Sequence, residues 1–186
     1  MSPARARPTP EELEAAVSKS VPDVIGPDLD VLFCGINPSL WSGAVGHHFA
    51  RPGNRFWKAL DQAGFTPTLL DPSEENRLLE FSVGVTNIVN KATRAATDLQ
   101  PEQLRAGTLR LEANARQWHP RVVALLGIGA YRTAFRRPRA ELGLQPEHLG
   151  PSRLWVLANP SGLQARYQLA DIVEQLTELR SFVAAL

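Results

Sequence analysis

The chain of 186 residues is long enough for one domain with a sizeable core, and 44% hydrophobic with 21% charged residues is an ordinary globular composition. A net charge of +1 neither demands nor excludes a nucleic-acid partner, because a small basic stripe fits inside a near-neutral total. The single cysteine, Cys34, excludes an internal disulfide and a four-cysteine cluster, and no stretch reaches the length of a membrane span.

The Arg-, Ala- and Pro-rich start lacks the apolar stretch of a secretory signal, so a soluble cytoplasmic protein is expected. Residues 1 to about 8 read as a disordered tail. Thr9-Pro10-Glu11-Glu12 then supplies an N-cap, a proline at the first helical position and acids in the first turn. That helix is short and ends by Ser20, so residues 1–20 are expected to form tail and helix, and 21–186 a single domain. Asp23 to Asp30, with Gly26 and Pro27, connects into the first strand.

Four short apolar runs rich in β-formers follow: Val31 to Cys34, Val83 to Val89, Val122 to Leu126 and Leu154 to Ala158. Helical patterns lie between and after them: Arg55 to Ala63 behind Asn54, Pro101 to Trp118, Ile128 to Arg137 and about Gln168 to Ala185. This alternation predicts an α/β fold, a three-layer α/β/α sandwich around a central, mainly parallel four-stranded sheet.

Two of the strand ends echo each other. The first runs into Asn37-Pro38-Ser39-Leu40 and the fourth into Asn159-Pro160-Ser161-Gly162-Leu163. In a parallel sheet with one strand between them, the two turns share an edge roughly 10 Å apart, a gap that suits a flat ring. Asn-Pro is also a common turn pair, but its recurrence at two strand ends favours a site.

Gly35-Ile36-Asn37-Pro38, His48-Phe49-Ala50, Asn54-Arg55-Phe56-Trp57-Lys58, Gln62-Ala63-Gly64-Phe65, Gly84-Val85-Thr86 and the Asn159 turn occur in one order. Together they resemble the mismatch-specific uracil/thymine DNA glycosylases of the uracil-DNA glycosylase superfamily, over most of the chain from Asp30 onward. The resemblance implies an enzyme that rotates a nucleotide out of the duplex and hydrolyses its N-glycosidic bond through an oxocarbenium-like sugar. By similarity, Asn37 holds the attacking water, orienting it more than deprotonating it. Phe49 stacks on the extruded base, a contact worth about 1–3 kcal/mol. The amides of Ile36 and Phe49 hydrogen-bond base oxygens, Asn159 borders the pocket, and Ser42 lies near the C5 substituent, where it decides whether thymine is accepted. Gly162 and Leu163 form the wedge that fills the vacated stack, and Ser161 and Arg166 contact the DNA.

The sequence also departs from that pattern. Ser39 stands where the family has glycine, and Arg166 falls one place late for reading the opposing guanine. Asn159 stands where the classical uracil enzymes carry a histidine, which predicts slow excision that depends on a weakened pair or a good leaving group. Among the loops after the four strands, Asp98 is the one carboxylate near a strand end. It either activates water or is a solvated turn residue ahead of the Pro101 helix. Adjacent histidines at His47 and His48 point apart in most backbones, so neither a metal nor any other cofactor is expected. With no lysine in either turn, no Schiff-base step is expected.

The expected function is therefore monofunctional hydrolysis of uracil, with thymine or other damaged pyrimidines as further substrates, from mismatches with guanine. Its partner would be double-stranded DNA containing a G:U or G:T mismatch, bound by a monomer without a membrane. The alternatives are a catalytically weak or inactive DNA-binding relative and a glycosylase of broader lesion range. A doubly wound nucleotide- or flavin-binding domain is disfavoured, since no glycine-rich phosphate loop follows a strand.

Overall fold

Alternate residues of the apolar runs face opposite ways, and in the computed structural model, which describes residues 7–186, both sets are buried. Strands β1 (Val31–Gly35), β2 (Val83–Asn87), β3 (Val122–Leu126) and β5 (Ser152–Leu157) pair in parallel in the order β2-β1-β3-β5. On one face Val31, Phe33, Val85, Ala124, Trp155 and Leu157 pack under α3 (Phe56–Gln62) and α6 (Leu169–Ala184). On the other, Leu32, Cys34, Val123, Leu125, Leu154 and Val156 pack under α4 (Pro101–Trp118) and α5 (Ile128–Ala134). The layers are those expected. Cys34 is fully buried in the second cluster, where burial pushes its thiol well above the ordinary value and leaves it inert.

The sheet has five strands rather than four. β4 (Gly143–Leu149) pairs antiparallel with β5 at the edge, with an irregular register between Leu144 and His148. It carries Gln145, Pro146, Glu147 and His148 because only one side of an edge strand is covered, so no apolar run announces it. Three further elements were not foreseen: α2 (Leu40–Val45), capped by the Ser39 hydroxyl, a 3-10 helix over Pro72–Phe81, capped by Asp71, and a one-turn 3-10 helix over Ala96–Asp98. At the opposite edge, Val24 of the connector exchanges two 2.9 Å hydrogen bonds with Val85 and covers part of β2.

α1 (Pro10–Glu14) starts in a capping box: the Thr9 hydroxyl accepts from the Glu12 amide at 3.2 Å, and the Glu12 carboxylate accepts from the Thr9 amide at 2.8 Å. Residues 1–6 of the expected tail lie outside the described residues. Among the described residues no helix is long and apolar enough to cross a membrane.

Phe33 joins the sheet to the site above it. Its ring meets Phe56 at 5.4 Å and Phe65 at 5.5 Å, both edge to face, and Phe56 in turn lies 4.1 Å from Phe49. Phe33→Ala is expected to lower unfolding free energy by about 3–5 kcal/mol, read as a shift of the urea midpoint at unchanged slope.

Candidate active site

Parallel pairing of β1, β3 and β5 sets Asn37, Gly127 and Asn159 along one edge of the sheet. Gly127 sits between the two turns: a Cβ there would lie 3.0 Å from Ile36 Cδ1 and 3.9 Å from Asn159 Cβ. The two Asn-Pro-Ser turns are thus separated by one strand, and a pocket of about 110 Å³ opens between them. Ile36, Asn37, Ser42, His48, Phe49, Asn159, Ser161 and Leu163 all line it. So do Thr93, Arg94, Ala95 and Ala96, from the loop that follows β2.

Asn37 is held by its amide nitrogen. Nδ2 donates to the Lys91 carbonyl at 2.9 Å, to Thr93 Oγ1 at 2.7 Å and to the Pro38 carbonyl at 3.2 Å. Thr93 Oγ1 spends its own proton on the Ala95 carbonyl at 2.7 Å, so toward Asn37 it can only accept. The chemistry of these partners fixes which end of the carboxamide is which. Oδ1 is left without a protein partner among the described residues, a fixed acceptor in the pocket wall. Thr93 was not singled out in the sequence; only its pairing with the first turn, through its amide and the Pro38 carbonyl at 3.2 Å, reveals it.

Phe49 has a φ of 52°, a left-handed conformation that a bulky residue adopts only under constraint. Its ring lies over Gly35, where a Cβ would come 3.1 Å from the ring and 2.5 Å from Asn87 Oδ1. Glycine at the end of β1 is therefore what lets the ring cover the pocket floor. Ser42 is buried, and its hydroxyl accepts from the Ala50 amide at 3.2 Å, tying α2 to the Phe49 loop. Neither the Ile36 nor the Phe49 amide donates to another described residue, and both residues line the pocket.

The two adjacent histidines do not point apart. Their Nδ1 atoms converge on one carboxylate: His47 on Glu75 Oε1 at 2.8 Å and His48 on Glu75 Oε2 at 3.0 Å, with the His48 amide also donating to Oε2 at 2.8 Å. A turn rather than an extended strand carries them, which removes the alternation that would have separated them. Because a carboxylate only accepts, both Nδ1 atoms carry hydrogen. Burial alone would push the Glu75 carboxyl up, but the His48 ring, the His48 amide and the His47 ring outweigh it and hold it below the usual carboxylate range. Glu75 lies in the 3-10 helix ahead of β2, outside every loop that follows a strand.

The second turn is built differently from the first. Asn159 Oδ1 accepts from the Ser161 amide at 3.0 Å, a local Asx turn, whereas Asn37 reaches across to another loop. Leu163 is 68% exposed at the tip of the following loop. Arg166 is also exposed and lies over the Tyr167 ring at 5.3 Å. Asp98 is not brought to the pocket: it is exposed, and its carboxylate accepts from the Ala95 amide at 2.9 Å as the cap of a one-turn 3-10 helix, Ala96–Asp98. Arg132 and Arg137 are occupied as well, by the Ala140 carbonyl and by Glu147.

Sheet order and pocket position place the protein among α/β proteins whose ligands lie beyond the carboxyl ends of the strands. The family described as the uracil DNA glycosylase superfamily matches residues 22–185. The chain belongs to that superfamily, whose members are DNA glycosylases, hydrolases of DNA repair. In three dimensions it is similar to a protein of Methanosarcina acetivorans, solved in solution by NMR and described as a candidate uracil DNA glycosylase. The TM-score is 0.55 at 14% identity, over 88% of this chain and 99% of that one. At that identity the likeness concerns the fold.

Glu75→Gln should cost about 2 kcal/mol at neutral pH, since a buried charge-assisted set loses its charge. Glu75 is depressed in the folded state, so its stabilisation is complete above the unfolded value of about 4.3 and fades as pH falls through the folded value. Urea unfolding of both proteins from neutral pH downward should show the difference persisting to about pH 5 and narrowing below it.

Proposed function

We propose that this chain is a monofunctional DNA N-glycosylase. It everts uracil, and thymine or other damaged pyrimidines where Ser42 leaves room, from mismatches with guanine in double-stranded DNA. The observation that carries the reading is the meeting of Asn37 and Phe49 at one small pocket beside an exposed Leu163. The Phe49 ring offers a face on which a flat base stacks, and the Ile36 and Phe49 amides offer donors for its oxygens.

In this mechanism the C1′–N1 bond breaks, its electron pair leaves with the base, and water adds to the cationic sugar at C1′ and gives up a proton, which neutralises the base anion by way of solvent. Asn37 Oδ1 accepts from that water and aims it. With both Nδ2 hydrogens taken up by the Lys91, Thr93 and Pro38 acceptors, the carboxamide cannot turn over, so its contribution is orientation. Leu163 enters the space the base has left, and Ser161, Gly162 and Arg166 face the backbone around it. Asp98 takes no part, since its carboxylate serves the turn that carries it. No lysine lines the pocket among the described residues, in keeping with hydrolysis rather than Schiff-base chemistry.

Asn37→Ala is expected to slow single-turnover excision from a G:U duplex roughly 100-fold or more while duplex affinity changes little. Normal excision by this variant would remove Asn37 from the chemistry. Asp98→Asn should leave the rate within about twofold of the parent, because asparagine also accepts from the Ala95 amide. A G:T duplex assayed alongside G:U ranks the substrates, and a covalent adduct trapped by borohydride would refute the monofunctional assignment.

A further inference from the structure

Arg55 opens α3, away from the pocket floor, yet every hydrogen bond it donates runs to the loop that carries Leu163. Its amide donates to the Pro160 carbonyl at 2.9 Å. Its guanidinium donates to the Ser161 carbonyl at 2.8 Å, the Gln164 carbonyl at 2.6 Å and the Tyr167 carbonyl. No carboxylate pairs with it among the described residues, so the charge is spent on neutral carbonyl oxygens spread over one loop. A planar fork of donors can span three carbonyls in this way, and a lysine ammonium cannot. The loop is braced from below as well: a Cβ at Gly162 would come within 2.6 Å of the Gly53 carbonyl oxygen. Above this fixed base stands Leu163, a large apolar side chain left 68% exposed.

We infer that Arg55 is a positioning residue for strand penetration, holding the 160–167 loop in the shape that presents Leu163 to the duplex. The inference rests on the glycosylase reading above. A tip already ordered enters the base stack without losing the conformational freedom that a slack loop would have to give up. Arg55 therefore matters where a base must be forced out of a paired stack, and is dispensable where extrusion is easy.

The test measures single-turnover excision of uracil facing guanine and of uracil facing an abasic-site analogue, where little pairing opposes extrusion. A 2-aminopurine beside the uracil reports unstacking on binding. Arg55→Gln and Arg55→Lys are expected to slow the G:U reaction roughly 10- to 100-fold and to weaken the 2-aminopurine signal. On the abasic-facing substrate the change should stay below about threefold. The double variant with Leu163→Ala should be no slower than Leu163→Ala alone, since the clamp acts through the tip. Equal losses on both substrates, an undiminished signal, or additive losses would overturn the assignment. If Arg55→Gln does not fold, Arg55→Lys alone decides, because it keeps the charge and loses the fork that spans three carbonyls; the absence of the substrate pattern there is equally fatal. A parent protein that releases uracil from neither substrate refutes the glycosylase reading itself, whereas an active parent without this pattern refutes only the role of Arg55.

Discussion

Burial of four parallel strands on both faces is the constraint from which the site follows. Parallel strands joined through helices all end at the same edge, so turns far apart in sequence are delivered side by side. The backbone groups beyond the strand ends have lost their ladder partners, and polar side chains and loops must satisfy them. That edge is where a ligand meets hydrogen-bonding groups, and here it holds Asn37 and Asn159 one strand apart.

What turns an edge into a pocket is a set of polar anchors between loops. The Asn37 carboxamide ties the first turn to the loop after β2 through Lys91 and Thr93. Glu75 reaches from a 3-10 helix to take hold of His47 and His48, fixing the turn that ends in the strained Phe49. Each anchor is a charged group or an amide with several partners, which is how a long loop is kept in one conformation despite the entropy it forgoes. The chain of aromatic contacts from Phe33 through Phe56 to Phe49 carries the rigidity of the sheet to the pocket floor.

The sequence was most legible where burial is two-sided. Val31 to Cys34, Val83 to Val89, Val122 to Leu126 and Leu154 to Ala158 are largely apolar runs because both faces are covered, and each coincides with a strand to within two residues at either end. β4 escaped notice because one of its faces meets solvent, so Gln145 to His148 looks like a loop. Asn37, Phe49 and Asn159 were legible through the family pattern, and they line one pocket. Thr93 and Glu75 were not singled out, and Arg55 was read only as part of a helix and of the family pattern, for a shared reason: each is an ordinary polar residue whose meaning comes from a partner distant in sequence. Glu75 sits beside Glu74, which is exposed to solvent through its side chain and joins a local ion pair with Arg77, and nothing local separates the two. Asp98 shows the converse, since its place after a strand suggested chemistry while its carboxylate serves a three-residue turn.

The distribution of charge around the pocket bears on how such a site would work. Among the described residues no carboxylate lines it, whereas Arg51 and Arg94 do. The nearest buried acid, Glu75, stands behind His48 with its oxygens occupied by three donors. A wall of this kind offers an attacking water no general base, only an acceptor of fixed direction. It offers a departing base anion two amide donors and a surface without opposing negative charge. On the glycosylase reading, the arrangement would assist the leaving group more than the nucleophile. In a hydrolysis whose sugar becomes cationic before water arrives, bond breaking is the harder half, and an oriented but unactivated water suffices for the rest.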